Sequence, residues 1–205
     1  MGFANGSVTL IRGDVVHDLG TRQRIVFESE EPVTGVQLIV DEKLTTLFVS
    51  TTSRVLKVAI AKGGRGQPPK VAEDVGCGVG CMTQDERTGD IVVARDDALY
   101  SYTLEGRGAP KAYEAQKKMI YTHGQYVGLS CLPSSSATKD QATMRRRFGG
   151  GASGDNLFSA STFVLLETDL RVVAHTETMI SPVRFIFEVW GDLFTVSEDG
   201  KVRCI

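Results

Sequence analysis

Apolar residues in this chain fall into runs of about five to eight residues, separated by Gly, Asp, Asn or Ser. Residues 6–11, 33–40 and 46–51 are examples, and they are rich in Val, Ile, Leu, Phe and Thr. This pattern is typical of short β-strands. No segment carries a helical stripe over the roughly 11 residues that an amphipathic helix needs. The best helical candidate, residues 114–119, is one short polar turn.

Turn signals recur along the chain at similar spacing, which indicates an internal repeat. Asn5-Gly6, Thr52-Ser53 and Asp96-Asp97 follow one another at intervals of 47 and 44 residues, and Asp199-Gly200 lies 103 residues further on. That last interval equals two steps if residues 133–159 are an insertion. Each unit then covers about 38 to 47 residues.

Aligned on these turns, a complete unit contains four predicted strands. The second to fourth units give residues 33–40, 45–51, 54–60 and 70–75, then 79–83, 90–94, 98–104 and 111–114, then 118–122, 125–131, 162–167 and 171–176. The first unit has only its last two strands, residues 7–11 and 24–27, and the fifth has residues 183–187, 193–197 and 201–205.

Four strands every 38 to 47 residues fit a β-propeller blade, which in its best-known version has four strands in roughly 40–45 residues. An immunoglobulin-like sandwich has roughly seven strands per 100 residues without such a repeat. We therefore predict an all-β, WD40-like partial β-propeller over residues 1–205, with about four blades of four-stranded antiparallel sheet, incomplete at both ends. We expect a piece of a larger protein or a truncated gene model.

Residues 132–160 differ in composition from the rest of the chain, because they are poor in apolar residues and rich in Ser and Gly. Such a segment is predicted to be a disordered loop insertion between two strands. Arg145, Arg146 and Arg147 within it are the one candidate partner contact, for an acidic protein or for anionic headgroups. Lipid clusters usually hold roughly 4 to 8 basic residues, so a solvated loop or a protein contact is favoured.

Composition and charge exclude several function classes. The chain has 205 residues, 41% of them hydrophobic, and a net charge of −2, so non-specific nucleic-acid binding is disfavoured. No run approaches the roughly 20 apolar residues of a membrane span, and no secretory signal opens the sequence. The four cysteines are irregularly spaced, so free thiols in an intracellular chain are expected.

No catalytic or cofactor motif stands out. Cys77 and Cys81 form one C-x3-C pair without a second paired spacing, so structural thiols are favoured over zinc. The glycines of residues 76–80 lack the spacing of a dinucleotide loop and instead suit tight backbone at the start of a blade. We therefore expect no metal, no cofactor and no enzyme activity.

The aromatic residues near the end of the chain are interpreted as structural. Trp190, Phe185, Phe187 and Phe194 lie close together in the sequence and are expected to pack in the core rather than form a peptide-binding face. In a propeller fragment, however, the outer apolar face of the closing unit lacks a covering blade, so this region is also expected to promote self-association.

The order of these segments resembles the amino-terminal propeller of the vacuolar protein sorting-associated protein eleven family. The segments that carry the resemblance are GFANGSVTLIRGD at residues 2–14, PVTG at 32–35, LFVSTT at 47–52, GCGVGC at 76–81, ALYSY at 98–102, EGRGAP at 105–110 and VWGDLFTVSEDGKVR at 189–203. Each is weak alone, and their co-occurrence in this order is fairly specific.

The resemblance implies a function that the residues alone do not. Members of that family are core subunits of the HOPS and CORVET membrane-tethering complexes, and a solenoid and a RING domain follow their propeller. The resemblance therefore implies a non-enzymatic scaffold for vesicle-mediated protein transport, with other tethering-complex subunits as its partners. It also implies a cytoplasmic protein that is peripheral on late endosome and vacuole membranes through the complex. The alternative is a generic propeller adaptor that binds short peptide motifs in trafficking or coat complexes.

Overall fold

A computed structural model describes residues 1–17, 19–41, 44–112, 115–132, 163–167, 172–176 and 183–205. Within these ranges the regular structure consists of strands, without a helix. The strands are β1 Ser7–Asp14, β2 Leu19–Glu28, β3 Val33–Val40, β4 Thr45–Thr51, β5 Val55–Ile60, β6 Lys70–Glu73, β7 Met82–Gln84, β8 Ile91–Ala94, β9 Ala98–Tyr102, β10 Lys111–Ala112, β11 Gln116–His123, β12 Tyr126–Leu132, β13 Phe163–Glu167, β14 Val172–Thr176, β15 Val183–Val189, β16 Asp192–Ser197 and β17 Val202–Cys204.

These strands form small antiparallel sheets in which each strand pairs with its neighbour in the sequence. The described strands give a two-stranded sheet β1–β2, four-stranded sheets β3–β6, β7–β10 and β11–β14, and a three-stranded sheet β15–β17. The prediction of an all-β chain built from four-stranded units, with shorter units at both ends, is confirmed, and the arrangement is consistent with a partial propeller.

The chain divides into two compact units, of which the first comprises residues 1–82 and 102–107. In this unit, sheet β1–β2 packs on sheet β3–β6 through one apolar core. The buried members of this core are Val8, Val26, Phe27, Leu47, Val49, Leu56, Val58 and Ile60. Each fully buried side chain of this kind stabilises the fold by roughly 1.5–3 kcal/mol, so the face-to-face stacking of sheets holds this unit together.

The second unit comprises residues 83–101 and 108–205. Its core joins sheet β11–β14 to sheet β15–β17 through Phe163, Leu165, Val183, Ile186 and Leu193. Gly128 on β12 allows this close packing, because a Cβ atom built there would lie 2.9 Å from Cδ1 of Ile186. Both units are therefore organised by the same principle, in which small sheets bury their faces against the next sheet.

The predicted strand boundaries agree with the structure best where alternation is strong. β3 and β4 begin and end at the predicted residues, whereas the first hairpin extends well beyond residues 11 and 24 on both strands. The strand predicted at residues 79–83 is shifted, since β7 begins at Met82 and Val79 is 76% exposed in the preceding loop. The strand predicted at residues 118–122 is confirmed and is longer, since β11 is Gln116–His123, so residues 114–119, the best helical candidate of the sequence, are not helical from residue 116 onward.

The predicted insertion at residues 132–160 begins at the last residue of β12, Leu132, and residues 133–160 lie outside the described residues. The turn predictions at Thr52-Ser53, Asp96-Asp97 and Asp199-Gly200 are confirmed, since they connect β4 to β5, β8 to β9 and β16 to β17. Gly200 adopts a φ of 74°, a backbone conformation that glycine tolerates without steric cost.

Candidate protein-binding surface

The last sheet, β15–β17, has one face that packs on its neighbour and one face that does not. Val183 and Ile186 of β15 and Leu193 of β16 point into the core of the second unit. The alternate residues of a strand point to the opposite face. This second face, which we call the outer face, consists of Phe185, Phe187, Val189, Phe194, Val196 and Val202.

The outer face is a continuous apolar surface that stands partly open to solvent. The Phe185 and Phe187 ring centroids lie 6.2 Å apart, and the Phe187 and Phe194 rings are stacked at 5.5 Å. Phe185 remains 60% exposed and Val202 58% exposed. Contiguous exposed apolar patches are uncommon on isolated soluble domains and mark association sites, so this face is a candidate contact surface, either for a further blade of a longer propeller or for a partner protein.

The expectation that Trp190, Phe185, Phe187 and Phe194 pack in the core is wrong for Phe185, which is exposed on the outer face, and for Trp190. Trp190 lies at the tip of the hairpin that joins β15 and β16. Its side chain is 98% exposed. Trp190 and Gly191 form a two-residue turn with φ values of 54° and 89°, and the amide of Gly191 donates to Oε1 of Glu188 at 2.6 Å. Two-residue hairpin turns with positive φ at both positions favour Asn-Gly, so a tryptophan here carries local strain. The sequence placed it near the phenylalanines, but the turn directs it into solvent.

A histidine connects three successive sheets of the second unit. Nε2 of His123, at the end of β11, contacts a carboxylate oxygen of Glu188 on β15. Its Nδ1 lies 3.8 Å from Oε2 of Glu86 in the turn between β7 and β8. The Tyr121 ring stacks on His123 at 6.3 Å, and burial, followed by the charges of Glu86 and Glu188, raises the pKa of Tyr121. Sequence reasoning missed this cluster because its members are far apart in the chain.

Two lysines are directed inward, each toward backbone carbonyls of a neighbouring turn. Lys57 on β5 donates to the carbonyls of Thr103 at 2.8 Å and Leu104 at 3.1 Å, and burial lowers its pKa. Lys117 on β11 donates to the carbonyl of Arg95 at 2.5 Å and is only 4% exposed. These cations stabilise the fold through hydrogen bonds within the chain and are poorly placed to bind a ligand.

The whole chain, residues 1–205, matches the PEP5/VPS11 N-terminal family. The chain belongs to this family. It is 26% identical to the human vacuolar protein sorting-associated protein 11 homolog over 207 residues, which cover 100% of this chain and 21% of that protein. The Arabidopsis thaliana homolog is 24% identical over 208 residues, which cover 100% of this chain and 19% of that protein. The family resemblance inferred from the sequence is thus confirmed, and the chain spans about a fifth of the length of these curated relatives.

A third relative, a Pep5-like zinc finger protein of Schizosaccharomyces pombe, is 37% identical over 83 residues, which cover 40% of this chain and 9% of that protein. Its name attributes a zinc finger to that protein. In the described part of this PEP5/VPS11 N-terminal chain, no group of three or more His, Cys, Asp or Glu side chains could hold a metal ion.

The four cysteines of this family member carry free thiols: Cys77, Cys81 and Cys131 are buried, and Cys204 is exposed beside the outer face. Cys77 lies 4.0 Å from the hydroxyl of Thr34, which donates to the hydroxyl of Ser50 at 3.0 Å. Burial raises the pKa of Cys131 to about 11. The buried thiols therefore act as packed apolar side chains. The raised pKa disfavours a nucleophilic thiolate at Cys131.

The predicted contact residues Arg145, Arg146 and Arg147 lie outside the described residues. Among the described residues, no helix is long and apolar enough to cross a membrane. The outer face of β15–β17 remains the candidate protein-binding surface of this family member.

Proposed function

We propose that this chain is a non-enzymatic scaffold domain in vacuolar protein sorting, and that it works inside an endosomal or vacuolar membrane-tethering complex of the HOPS or CORVET type. Family membership over all 205 residues and the names of the relatives support this role. The domain contributes protein–protein contacts to the complex. It is peripheral on the late endosome or vacuole membrane, where the other subunits of the complex are its partners.

The observation that carries the proposal is the outer face of β15–β17. Its inner counterpart is already buried against sheet β11–β14, so the sheet is held in position while Phe185 and Val202 remain exposed. A rigid apolar face loses little conformational entropy on binding, which favours a stable contact. Aromatic residues at the centre of such a surface commonly carry most of the binding energy.

The polar side chains of the described residues also favour a scaffold over an enzyme. Lys57 and Lys117 point inward and donate hydrogen bonds to backbone carbonyls of the chain, and His123 contacts the carboxylate of Glu188. A catalytic group needs access to a reacting atom. These three groups instead connect neighbouring sheets.

A pull-down from cell extract with the tagged chain tests the proposal. The wild-type chain should recover the other tethering subunits, and the double variant Phe185→Ser/Val202→Ser should recover at least five-fold less of them. Val40→Ser/Val71→Ser is the matched control, because these valines are 71% and 52% exposed in the first unit.

Recovery of coat components without tethering subunits would support the alternative, an adaptor for short peptide motifs. Equal recovery of tethering subunits by both double variants would show that the outer face is not the contact.

A further inference from the structure

The hairpin β1–β2 places two arginines directly opposite each other. Arg12 on β1 pairs in register with Arg22 on β2, and Arg24 follows on the same face of the hairpin, opposite Leu10. Like charges at directly opposed positions destabilise an antiparallel pair. All three arginines are exposed, so packing does not explain this arrangement.

The loop between β5 and β6 adds two more cations at the same place. Nη1 of Arg24 donates to the carbonyl of Gly63 at 2.8 Å, and a Cβ atom built on Gly64 would lie 3.7 Å from the guanidinium carbon of Arg12. Lys62 and Arg65 flank these glycines and are exposed. We call these five residues the basic cluster: Arg12, Arg22, Arg24, Lys62 and Arg65.

The basic cluster is not neutralised within the described part of the chain, where none of its members lies within 4.0 Å of a carboxylate oxygen. The nearest acidic residue along β1, Asp14, is held locally, since its Oδ2 lies 2.7 Å from Nδ1 of His17 and its Oδ1 accepts from the amides of Val16 and His17. The chain as a whole carries a net charge of −2. Among the described residues, positive charge is therefore concentrated at this end of the first unit, although the chain as a whole is slightly acidic; the sequence also places Asp18 between β1 and β2.

A second, independent feature lies beside the cluster. The tip of the same hairpin exposes three aliphatic side chains, Val15 at 62%, Val16 at 87% and Leu19 at 67%. We call these residues the apolar tip. It is separated from Arg12 and Arg22 by about three residues on each strand, or roughly 10 Å.

We propose that the end of hairpin β1–β2 binds an anionic lipid bilayer directly, with the apolar tip inserted at the boundary between headgroups and acyl chains and the basic cluster on the headgroup phosphates. Side chains of this kind partition to that boundary, and four to eight clustered Lys or Arg residues attract anionic lipid. An acidic protein segment would use the guanidinium groups but would leave the aliphatic tip without a function. The proposal adds a direct membrane contact to the indirect one made through the complex.

Co-sedimentation of the 205-residue chain with vesicles tests this contact. The probe is phosphatidylcholine and phosphatidylserine in a ratio of about seven to three, compared with pure phosphatidylcholine. The chain should sediment with the mixed vesicles, and Arg12→Gln/Arg22→Gln should weaken binding by about five-fold for each charge removed. Arg87→Gln/Lys111→Gln is the charge-matched control at two exposed positions of the second unit and should bind within about two-fold of wild type.

The tip is tested separately with Val15→Ser/Val16→Ser, which should weaken binding at least five-fold and leave unfolding by urea unchanged, because both valines are exposed. Equal loss with the cluster variant and the charge-matched control would overturn the proposal, as would failure of wild type to prefer the mixed vesicles. Unchanged binding by the tip variant, together with capture of a fluorescent oligoglutamate peptide by the basic cluster, would replace the membrane with an acidic protein partner.

Discussion

Nζ of Lys117 lies 2.5 Å from the carbonyl oxygen of Arg95 and 3.2 Å from that of Asp96, so one buried cation on β11 closes the turn between β8 and β9. It also donates to the carbonyl of Ala115 at 3.3 Å. Hydrogen bonds from a charged donor are stronger than neutral ones. This contact joins two successive sheets of the second unit at a point that no local sequence pattern marks.

Replacement of Lys117 by Met should destabilise the chain by about 1–3 kcal/mol, because it leaves the buried carbonyl of Ala115 and the part-buried carbonyls of Arg95 and Asp96 without their charged donor. Urea unfolding followed by circular dichroism measures the change. Lys118→Met, at the adjacent and partly exposed position, is the control and should change stability by less than about 0.5 kcal/mol. A similar loss in both variants would mean that these carbonyls do not depend on the Lys117 ammonium group.

A second prediction concerns Gly76, which lies where two backbone segments approach closely. A Cβ atom built there would lie 2.0 Å from the carbonyl oxygen of Thr51, and that carbonyl already accepts from the amide of Cys77 at 3.2 Å. Gly76→Ala should therefore destabilise the chain by about 1–3 kcal/mol, since the backbone has to move. Thermal or urea unfolding measures the loss.

The control for this variant is Gly63→Ala, where an added Cβ meets nothing within 4 Å. It should be neutral or slightly stabilising. If Gly76→Ala were equally well tolerated, the interpretation of residues 76–80 as a tight blade start would lose its support.

Trp190 offers a third prediction, because it is the single tryptophan of the chain and is 98% exposed. Its fluorescence should resemble that of a water-exposed indole and should be quenched efficiently by acrylamide. Trp190→Asn should stabilise the chain by about 0.5–1 kcal/mol, since Asn tolerates the left-handed conformation better than a bulky residue does. A blue-shifted emission, or destabilisation by Asn, would indicate that the indole is packed.

Much of the strand map could be predicted from the sequence because local alternation and turn chemistry define it. Residues 33–40 and 45–51 are correct to the residue because Pro32 and Asp41 bound the first run and the turn Thr52-Ser53 ends the second. The strand at residues 79–83 was misplaced since Val79 is apolar but lies in a loop, where hydrophobicity alone does not distinguish the two states.

The contacts that matter for function could not be predicted in the same way. His123 and Glu188 are 65 positions apart in the sequence, and only the pairing of whole sheets brings them together. The opposed arginines Arg12 and Arg22 depend on a hairpin longer than the predicted one. Trp190 is exposed because its backbone φ angle is positive, which places it in the turn between β15 and β16. The apolar character of its side chain would instead suggest burial.

The last prediction follows from the raised pKa of Cys131. Burial shifts this pKa from 9.0 to about 11, with the Asp96 charge also raising it and the Lys117 charge lowering it. The folded chain therefore keeps this thiol protonated where the unfolded chain has lost the proton. The contribution of the protonated Cys131 thiol to the free energy of unfolding is fully present below pH 9.0 and is lost as the pH rises to about 11. Over that window the free energy of unfolding should fall by about 2–3 kcal/mol on account of this one group.

The measurement is urea unfolding of the wild-type chain and of Cys131→Ala at pH 8, 9, 10 and about 11 under reducing conditions. The variant has a lower stability at pH 8 because of the cavity, but the difference between the two chains should shrink as the pH rises. Other groups with shifted pKa values, such as Tyr121 and Lys57, titrate in both chains and cancel in that difference. Leu129→Ala is the matched control, because it also removes a fully buried side chain from β12 but no titratable group, so its difference from wild type should not change with pH. A constant difference between wild type and Cys131→Ala across the window would mean that the thiol at Cys131 reaches solvent.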